Sequence, residues 1–477
     1  MPGFAGFTMP EWLPELFEGG MVSVCVYGEN VHDTAQLRAL GAELRRACPE
    51  ALIAIDEEGG EVTRLHYLEG SPYPGAAVMG RIDDLEYTRS IGARVGRDIL
   101  SAGFNLALGP IADVNSNPQN PVIGTRSFSS DPELAARHVA AWIEGLQGTG
   151  ALACAKHFPG HGDTAQDSHL ALPTVDVPQD VLRHRELPPF RAAVNANVAT
   201  VMTSHILLPQ LDRSGPATFS RAILQGLLRD ELDFEGVIVS DALDMQGASG
   251  EIGIPEAAVR ALVAGCDLLC LGTNTGPALM REIEDAVLAA IGGGRLSGDR
   301  LADAAARVRK LATPPPAACA FVPDESGEPA MRHEPHELDR IIASFDGVDR
   351  ARTWFAAHPH AAVIRVDSEA NMAVGHAPWG PFAAGLDTAR VAHDAASPAW
   401  GEAYPNGAVV IGRDLHRLPF ARAGVDSLRA SSAPVLAVEM GWPGADEASR
   451  TYADLACYGS SRLVGEALLR LMKRDHA

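Results

Sequence analysis

Within the first 310 residues, short apolar runs recur, each ending in a polar residue or glycine and followed by a helical stretch. The runs are 21–27, 51–55, 104–108, 151–155, 199–203, 236–240 and 267–271. They are rich in Val, Ile and Leu and show no polar alternation, which is how strands buried on both faces of a parallel sheet read. The stretches between them are amphipathic. At 131–146, Asp131 suits an N-cap and Pro132 the first helical position. A second helix is expected from an N-cap at Ser220 to about Leu232. Repeated β-α units predict an α/β fold with a parallel sheet. Seven strands and one more would close a (β/α)8 TIM-type barrel, and a doubly wound open sheet fits the same periodicity.

Residues 313–330 are rich in Pro, Ala and Gly without periodicity and read as a linker. Beyond them the pattern resumes on a smaller scale. Strands are expected at 361–366, 407–412 and 434–439, with a closing helix near 462–473. The expected organisation is a barrel over 1–312, a linker over 313–330 and a smaller C-terminal α/β domain over 331–477. The last carries no nucleotide-binding glycine fingerprint.

Charge narrows the partners. The formal net charge is −22 with no basic cluster, which argues against nucleic acid and anionic membrane. No run of 18 apolar residues predicts a membrane span, and no cationic, apolar leader is visible, so a cytoplasmic location is expected. Seven scattered cysteines without a C-x-x-C pair suggest reduced, buried thiols. Lysine occurs only at 156, 310 and 473, against 36 arginines. A lysine at the end of an apolar run is therefore conspicuous.

In a parallel barrel, function gathers at the carboxyl ends of the strands. Run 51–55 is followed by Asp56, and run 104–108 leads to Asp113. Run 151–155 ends on Lys156 and His157, run 199–203 leads to His205, and run 236–240 ends on Asp241. Five of seven runs thus deliver an ionisable residue to one rim, which predicts a shared active site.

The densest segment is 156–169, KHFPGHGDTAQDSH. Its glycines and proline make it a loop. Three readings of it are open. It could be a polar cap on the barrel. It could hold a metal through His157, His161, Asp163 or His169, although the spacing matches no standard ligand motif. Or it could carry acid/base chemistry, with Asp167 fixing the tautomer of His169 and stabilising its protonated form.

These residues resemble glycoside hydrolase family 3 β-N-acetylglucosaminidases, whose signature is Lys-His-Phe-Pro-Gly-His-Gly, four variable residues, then Asp-Ser-His. Every fixed position is present. IDEEGGEVTRL at 55–65, GTRSF at 124–128, TSHILL at 203–208 and FEGVIVSDALDM at 234–245 follow in the family's order. The Asp-Ser-His element separates these enzymes from the family's β-glucosidases and xylosidases. The resemblance implies a (β/α)8 barrel, some members adding a C-terminal α/β domain.

The resemblance also implies roles: Asp241 as nucleophile, His169 as proton donor and acceptor, and Asp167 as the residue that orients and charges it. Asp56, Arg64, Arg126, Lys156 and His157 would hold the N-acetylglucosamine ring, with His205 near them. No cofactor or metal is implied. The substrate would be N-acetylglucosamine-containing oligosaccharides, with peptidoglycan-derived muropeptides expected. Many relatives place a second aspartate after the nucleophile, where this chain has Ala242. Because a neutral His169 repels phosphate less than a carboxylate would, phosphate is expected to compete with water, making an N-acetylglucosaminide phosphorylase one alternative. Other family 3 sugar specificities, a metal-dependent barrel hydrolase and a sugar-binding protein without activity are the rest. Family members begin with an apolar strand just before the position of Pro2-Gly3-Phe4, so the first barrel strand is expected to be missing or irregular here.

Overall fold

The computed structural model describes residues 1–164, 172–273, 275–313, 336–368, 373–431 and 433–473. The expected linker lies almost wholly outside them. The chain packs as two compact units. One comprises Met1–Glu58, Asp84–Ile123 and the described residues from Ser127 to Thr313. The other comprises Gly59–Asp83, Gly124–Arg126 and the described residues from 336 onward. Two segments that follow barrel strands in sequence thus pack with the C-terminal residues.

The first unit is a TIM-type barrel. Six strands, β1 (Ser23–Val26), β2 (Leu52–Ile55), β3 (Leu106–Ala107), β4 (Leu152–Phe158), β5 (Thr200–Thr203) and β6 (Val237–Val239), pair in parallel in chain order. The run at 267–271 does not become a ladder strand. It is joined to β6 by a bridge between Val239 and Leu268. Among the described residues no regular strand fills the eighth position. The Met1 carbonyl accepts from Leu271 and the Pro2 carbonyl from Cys25, while the Gly3 amide donates to Gly272. An irregular segment therefore spans from the seventh position to β1.

Alternate residues fill the barrel. Cys25, Leu52, Ala54, Leu106, Leu108, Cys154, Met202, Val237, Val239, Leu268 and Cys270 form one buried cluster. Their neighbours, such as Val24, Ile53 and Ile238, are equally buried. This is why the runs show no alternation of polarity: both faces of the sheet are covered. Of the two expected helices, Pro132–Gln147 forms with Asp131 accepting from the amides of Glu133 and Leu134. The second, Ala222–Glu231, is π-helical, and Ser220 Oγ accepts from the Ile223 amide. At the amino end of the 267–271 run, buried Asp267 is held by Arg229 and Arg300 at 2.6 and 2.7 Å, a structural ion cluster away from the carboxyl ends of the strands.

The second unit is a five-stranded parallel sheet of β7 (Ala362–Val366), β8 (Arg390–Ala392), β9 (Ala408–Gly412), β10 (Val435–Glu439) and β11 (Leu455–Ala456), in the order β11-β10-β9-β7-β8. One face packs on Ile341, Phe355, Leu463, Val464 and Leu468, the other on Trp400, Leu415, Val425 and Leu428. The three expected strands and the closing helix, Arg462–Met472, are present. Strands β8 and β11 escaped the sequence because they are three and two residues long. No helix among the described residues is long and apolar enough to cross a membrane.

Candidate active site

The site is built where β4 ends. Its pairing with β5 runs from Ala155–Val201 directly to Phe158–Thr203, so one extra residue bulges out of β4. A bulge re-aims side chains that would otherwise alternate. Here it lets consecutive residues serve three carboxylates, two at Lys156 and one at His157. Lys156 Nζ lies 2.9 Å from both Asp56 Oδ1 and Glu58 Oε1. His157 Nδ1 lies 2.8 Å from Asp113 Oδ2, and the His157 amide donates to Asp113 Oδ1. The same Oδ1 accepts from the His161 amide at 2.7 Å. Asp113 therefore ties β3 to both ends of the Lys-His-Phe-Pro-Gly-His stretch.

Residues 160–164 are fixed by close packing. Asn120 Nδ2 donates to the carbonyls of His161 and Gly162, while its Oδ1 accepts from Val122 and Ile123. Thr164 Oγ1 meets His161 Nδ1 at 2.8 Å. A Cβ on Gly162 would sit 1.6 Å from the Val114 carbonyl oxygen, so only glycine fits. Gly160, at φ +130, faces the buried Glu186 side chain. Burial drives Glu186 up to about 7 against the opposing pull of Arg185 and Ser116.

Electrostatics divide the aspartate and the histidine. Burial would raise Asp113, but His157 and His161 outweigh it and hold the carboxyl below its ordinary value. Burial pushes His161 down to about 4, His157 adding to the effect and Asp113 and Asp241 opposing it. The influence of Asp241 on His161 puts the end of β6 in electrostatic reach of this loop.

A pH dependence follows. The unfolded His161 titrates near 6.5, so between pH 6.5 and about 4 the unfolded chain binds the extra proton and the fold loses stability as pH falls. The contribution is on the order of 3 kcal/mol. Asp113 acts lower: its stabilisation is complete above the unfolded carboxylate value and is lost as pH falls through its folded one. The thermal midpoint is expected to drop between pH 6.5 and 4, and to drop less in His161→Gln. Equal pH slopes for the two proteins would contradict this.

Lys156, 3% exposed, is the shared cation of two nearly buried carboxylates. Lys156→Met removes it and leaves like charges close together. It is expected to destabilise the fold by about 3–5 kcal/mol, read as a lower urea midpoint at unchanged slope. A wild-type midpoint would mean that the cluster carries no net ionic interaction.

Asp241 follows β6. Its amide donates to Thr203 Oγ1 at 3.2 Å, and its Oδ1 accepts from the Ala242 amide at 2.8 Å. His205, fully buried, places Nδ1 2.8 Å from Thr218 Oγ1 and Nε2 3.0 Å from the Ala242 carbonyl. Asp56, Lys156, His157, His205 and Asp241 are thus all carried by strand ends of the barrel unit. Arg64 and Arg126 are buried in the other unit. There Arg64 donates to the Ala373 carbonyl at 2.7 Å. Asp167 and His169 lie outside the described residues. Glu58 and Thr218 are participants that the sequence reading passed over. Glu58 was detectable as the residue two after Asp56, on the same side of an extended segment. Thr218, 13 residues from His205, gave no signal.

Residues 10–311 match the glycosyl hydrolase family 3 N-terminal domain. The chain belongs to glycosyl hydrolase family 3. It is 34% identical over 368 residues to β-hexosaminidase A of Pseudoalteromonas piscicida, a stretch covering 69% of this chain and 60% of that protein. It is 36% identical over 295 residues to a β-hexosaminidase of Neisseria meningitidis serogroup C, covering 60% of this chain and 80% of that one. Among solved structures, a family 3 β-N-acetylglucosaminidase from Paenibacillus sp. str. FPU-7 superposes with a TM-score of 0.82 at 28% identity, covering 99% of this chain and 94% of its own. Family 3 membership and the barrel with a smaller α/β unit both agree with the expectation from sequence.

Proposed function

We propose that this family 3 chain is a retaining β-N-acetylglucosaminidase that removes terminal non-reducing N-acetylglucosamine, with peptidoglycan-derived fragments as its substrates. The observation that carries the reading is the position of Asp241: just beyond the carboxyl end of β6, on the rim that also carries Lys156 and His157 near the end of β4. The names of the relatives supply the sugar.

The chemistry follows from the proposed roles. Asp241 attacks the anomeric carbon while protonated His169 gives its proton to the departing oxygen, breaking the glycosidic bond and forming a glycosyl-enzyme. His169, now neutral, takes a proton from water. The resulting oxygen nucleophile displaces Asp241, restoring the carboxylate and the original configuration. Asp167 stabilises the imidazolium form of His169. Asp56, Lys156 and His157 are assigned to the sugar on the family pattern and on their place at the strand ends. Arg64 and Arg126 are assigned on the motif alone. A cytoplasmic setting fits the six buried free thiols among the described residues.

The test is a panel of chromogenic glycosides, then purified muropeptides against chitobiose. Preference for β-N-acetylglucosaminides, and release of N-acetylglucosamine from muropeptides, is expected, undiminished by excess chelator. A preference for β-glucosides would overturn the sugar assignment, and loss of activity with chelator would favour a metal-dependent hydrolase. NMR of the products at millimolar phosphate separates the acceptors: retained N-acetylglucosamine 1-phosphate marks phosphorolysis, and free sugar alone marks hydrolysis.

A further inference from the structure

The family pattern sets His205 near the sugar, but its hydrogen bonds give it another task. A carbonyl oxygen only accepts, so the 3.0 Å contact with the Ala242 carbonyl requires a proton on His205 Nε2. Its Nδ1 faces Thr218 Oγ1 at 2.8 Å, and Thr218 Oγ1 faces Thr203 Oγ1 at 2.8 Å. Thr203 Oγ1 receives the amide of Asp241.

A single assignment of protons satisfies the chain. Asp241 N–H donates to Thr203, the Thr203 hydroxyl to Thr218, the Thr218 hydroxyl to His205 Nδ1, and His205 Nε2–H to the Ala242 carbonyl. The chain leaves the backbone at Asp241 and returns to it at Ala242. The competing arrangement turns the Thr218 hydroxyl to the Ser204 carbonyl at 3.0 Å. It then needs protons on both ring nitrogens, an imidazolium in a fully buried position, which desolvation disfavours. The Ser204 carbonyl already accepts the Thr218 amide.

We propose that His205 is a positioning residue for the nucleophile: as the neutral Nε2–H tautomer it holds the Ala242 carbonyl, so that the Ala242 amide keeps the Asp241 carboxylate in its attacking orientation. The final link is the 2.8 Å bond from the Ala242 amide to Asp241 Oδ1. With alanine at 242 the side chain offers no polar atom, and the backbone is held through its carbonyl. The proposal rests on the reading of Asp241 as the nucleophile.

Two measurements test it. Histidine 15N NMR of the whole protein reports the tautomer, with the His205 signals identified by their loss in His205→Gln. Protonated Nε2 and bare Nδ1 at pH 7, unchanged by saturating N-acetylglucosamine, are expected. A bare Nε2 overturns the proposal. Thr218→Val keeps the shape but removes the relay hydroxyl. It is expected to lower kcat roughly 10- to 100-fold by misplacing the carboxylate, while the Kd of N-acetylglucosamine stays at the wild-type value. His205→Gln, which keeps an N–H donor at the far end of the side chain, should retain more kcat than His205→Ala. A weakened Kd at unchanged kcat in these variants would make His205 a sugar contact and sink the positioning role. Should Asp241 not be the nucleophile, covalent trapping fails on Asp241 while the tautomer result stands, so the two failures are distinguishable.

Discussion

Asp241→Ala is expected to lower kcat by on the order of 10⁴-fold or more, the scale seen when a group of a catalytic unit is removed, and to leave the protein folded. The kinetic loss is large because the proposed route divides one displacement into two, both of which need the carboxylate. The structural cost is small because Asp241 is only partly buried, and the amide that donates to its Oδ1 belongs to the equally accessible Ala242. Circular dichroism and the urea midpoint of the variant should match the parent protein. A 2-fluoro donor with a good leaving group should accumulate as a covalent adduct, and peptide mass spectrometry should place it on Asp241. An adduct on another residue would remove Asp241 from the nucleophile's role.

His169→Ala is expected to show the second largest effect, and its size depends on the substrate. General acid catalysis contributes about 10²–10⁴-fold when the leaving oxygen needs a proton. A sugar alkoxide needs one and a nitrophenolate scarcely does. The variant should therefore lose most of its rate on muropeptides or chitobiose and much less on an activated aryl glycoside. Asp167→Ala should share that profile, since the pair acts as a unit. Equal losses on both classes of substrate would remove the acid role. The profile also separates this pair from Lys156, whose replacement acts through two carboxylates and is not expected to discriminate between leaving groups.

Much of the site was legible because a parallel barrel converts order along the chain into position on a rim. Asp56, Asp113, Lys156, His157, His205 and Asp241 each follow an apolar run; Lys156 and His157 lie in the last three residues of β4 and the others beyond the ends of their strands. The runs themselves were readable because both faces of the sheet are covered. The 267–271 run was misjudged for a related reason. Asp267, Leu268, Cys270 and Leu271 are buried, but the segment beside the run is the irregular Met1–Gly3 stretch, which supplies single hydrogen bonds and no ladder. Nor did the sequence mark the π-helix at 222–231, where Ala, Ile, Leu and Arg suit either helix. The membership of 59–83 and 124–126 in the second unit was also invisible, since local pattern records that a loop is long and not what it packs against.

By itself, then, the sequence determined the β-α repeat, the rim on which the ionisable residues gather and the family motif, because each is a property of neighbouring residues and their spacing. Only the tertiary structure decided which partner each charge has. Asp56 and Lys156 are 100 positions apart, Asp113 and His157 are 44 apart, and His205 meets the carbonyl of Ala242 37 residues on. Hydrogen bonds and ion pairs act over about 3 Å, and barrel closure brings such distant strand ends within that range. The protonation and duty of each side chain are therefore set by closure and by the bulge in β4, neither of which is written in any local run of residues.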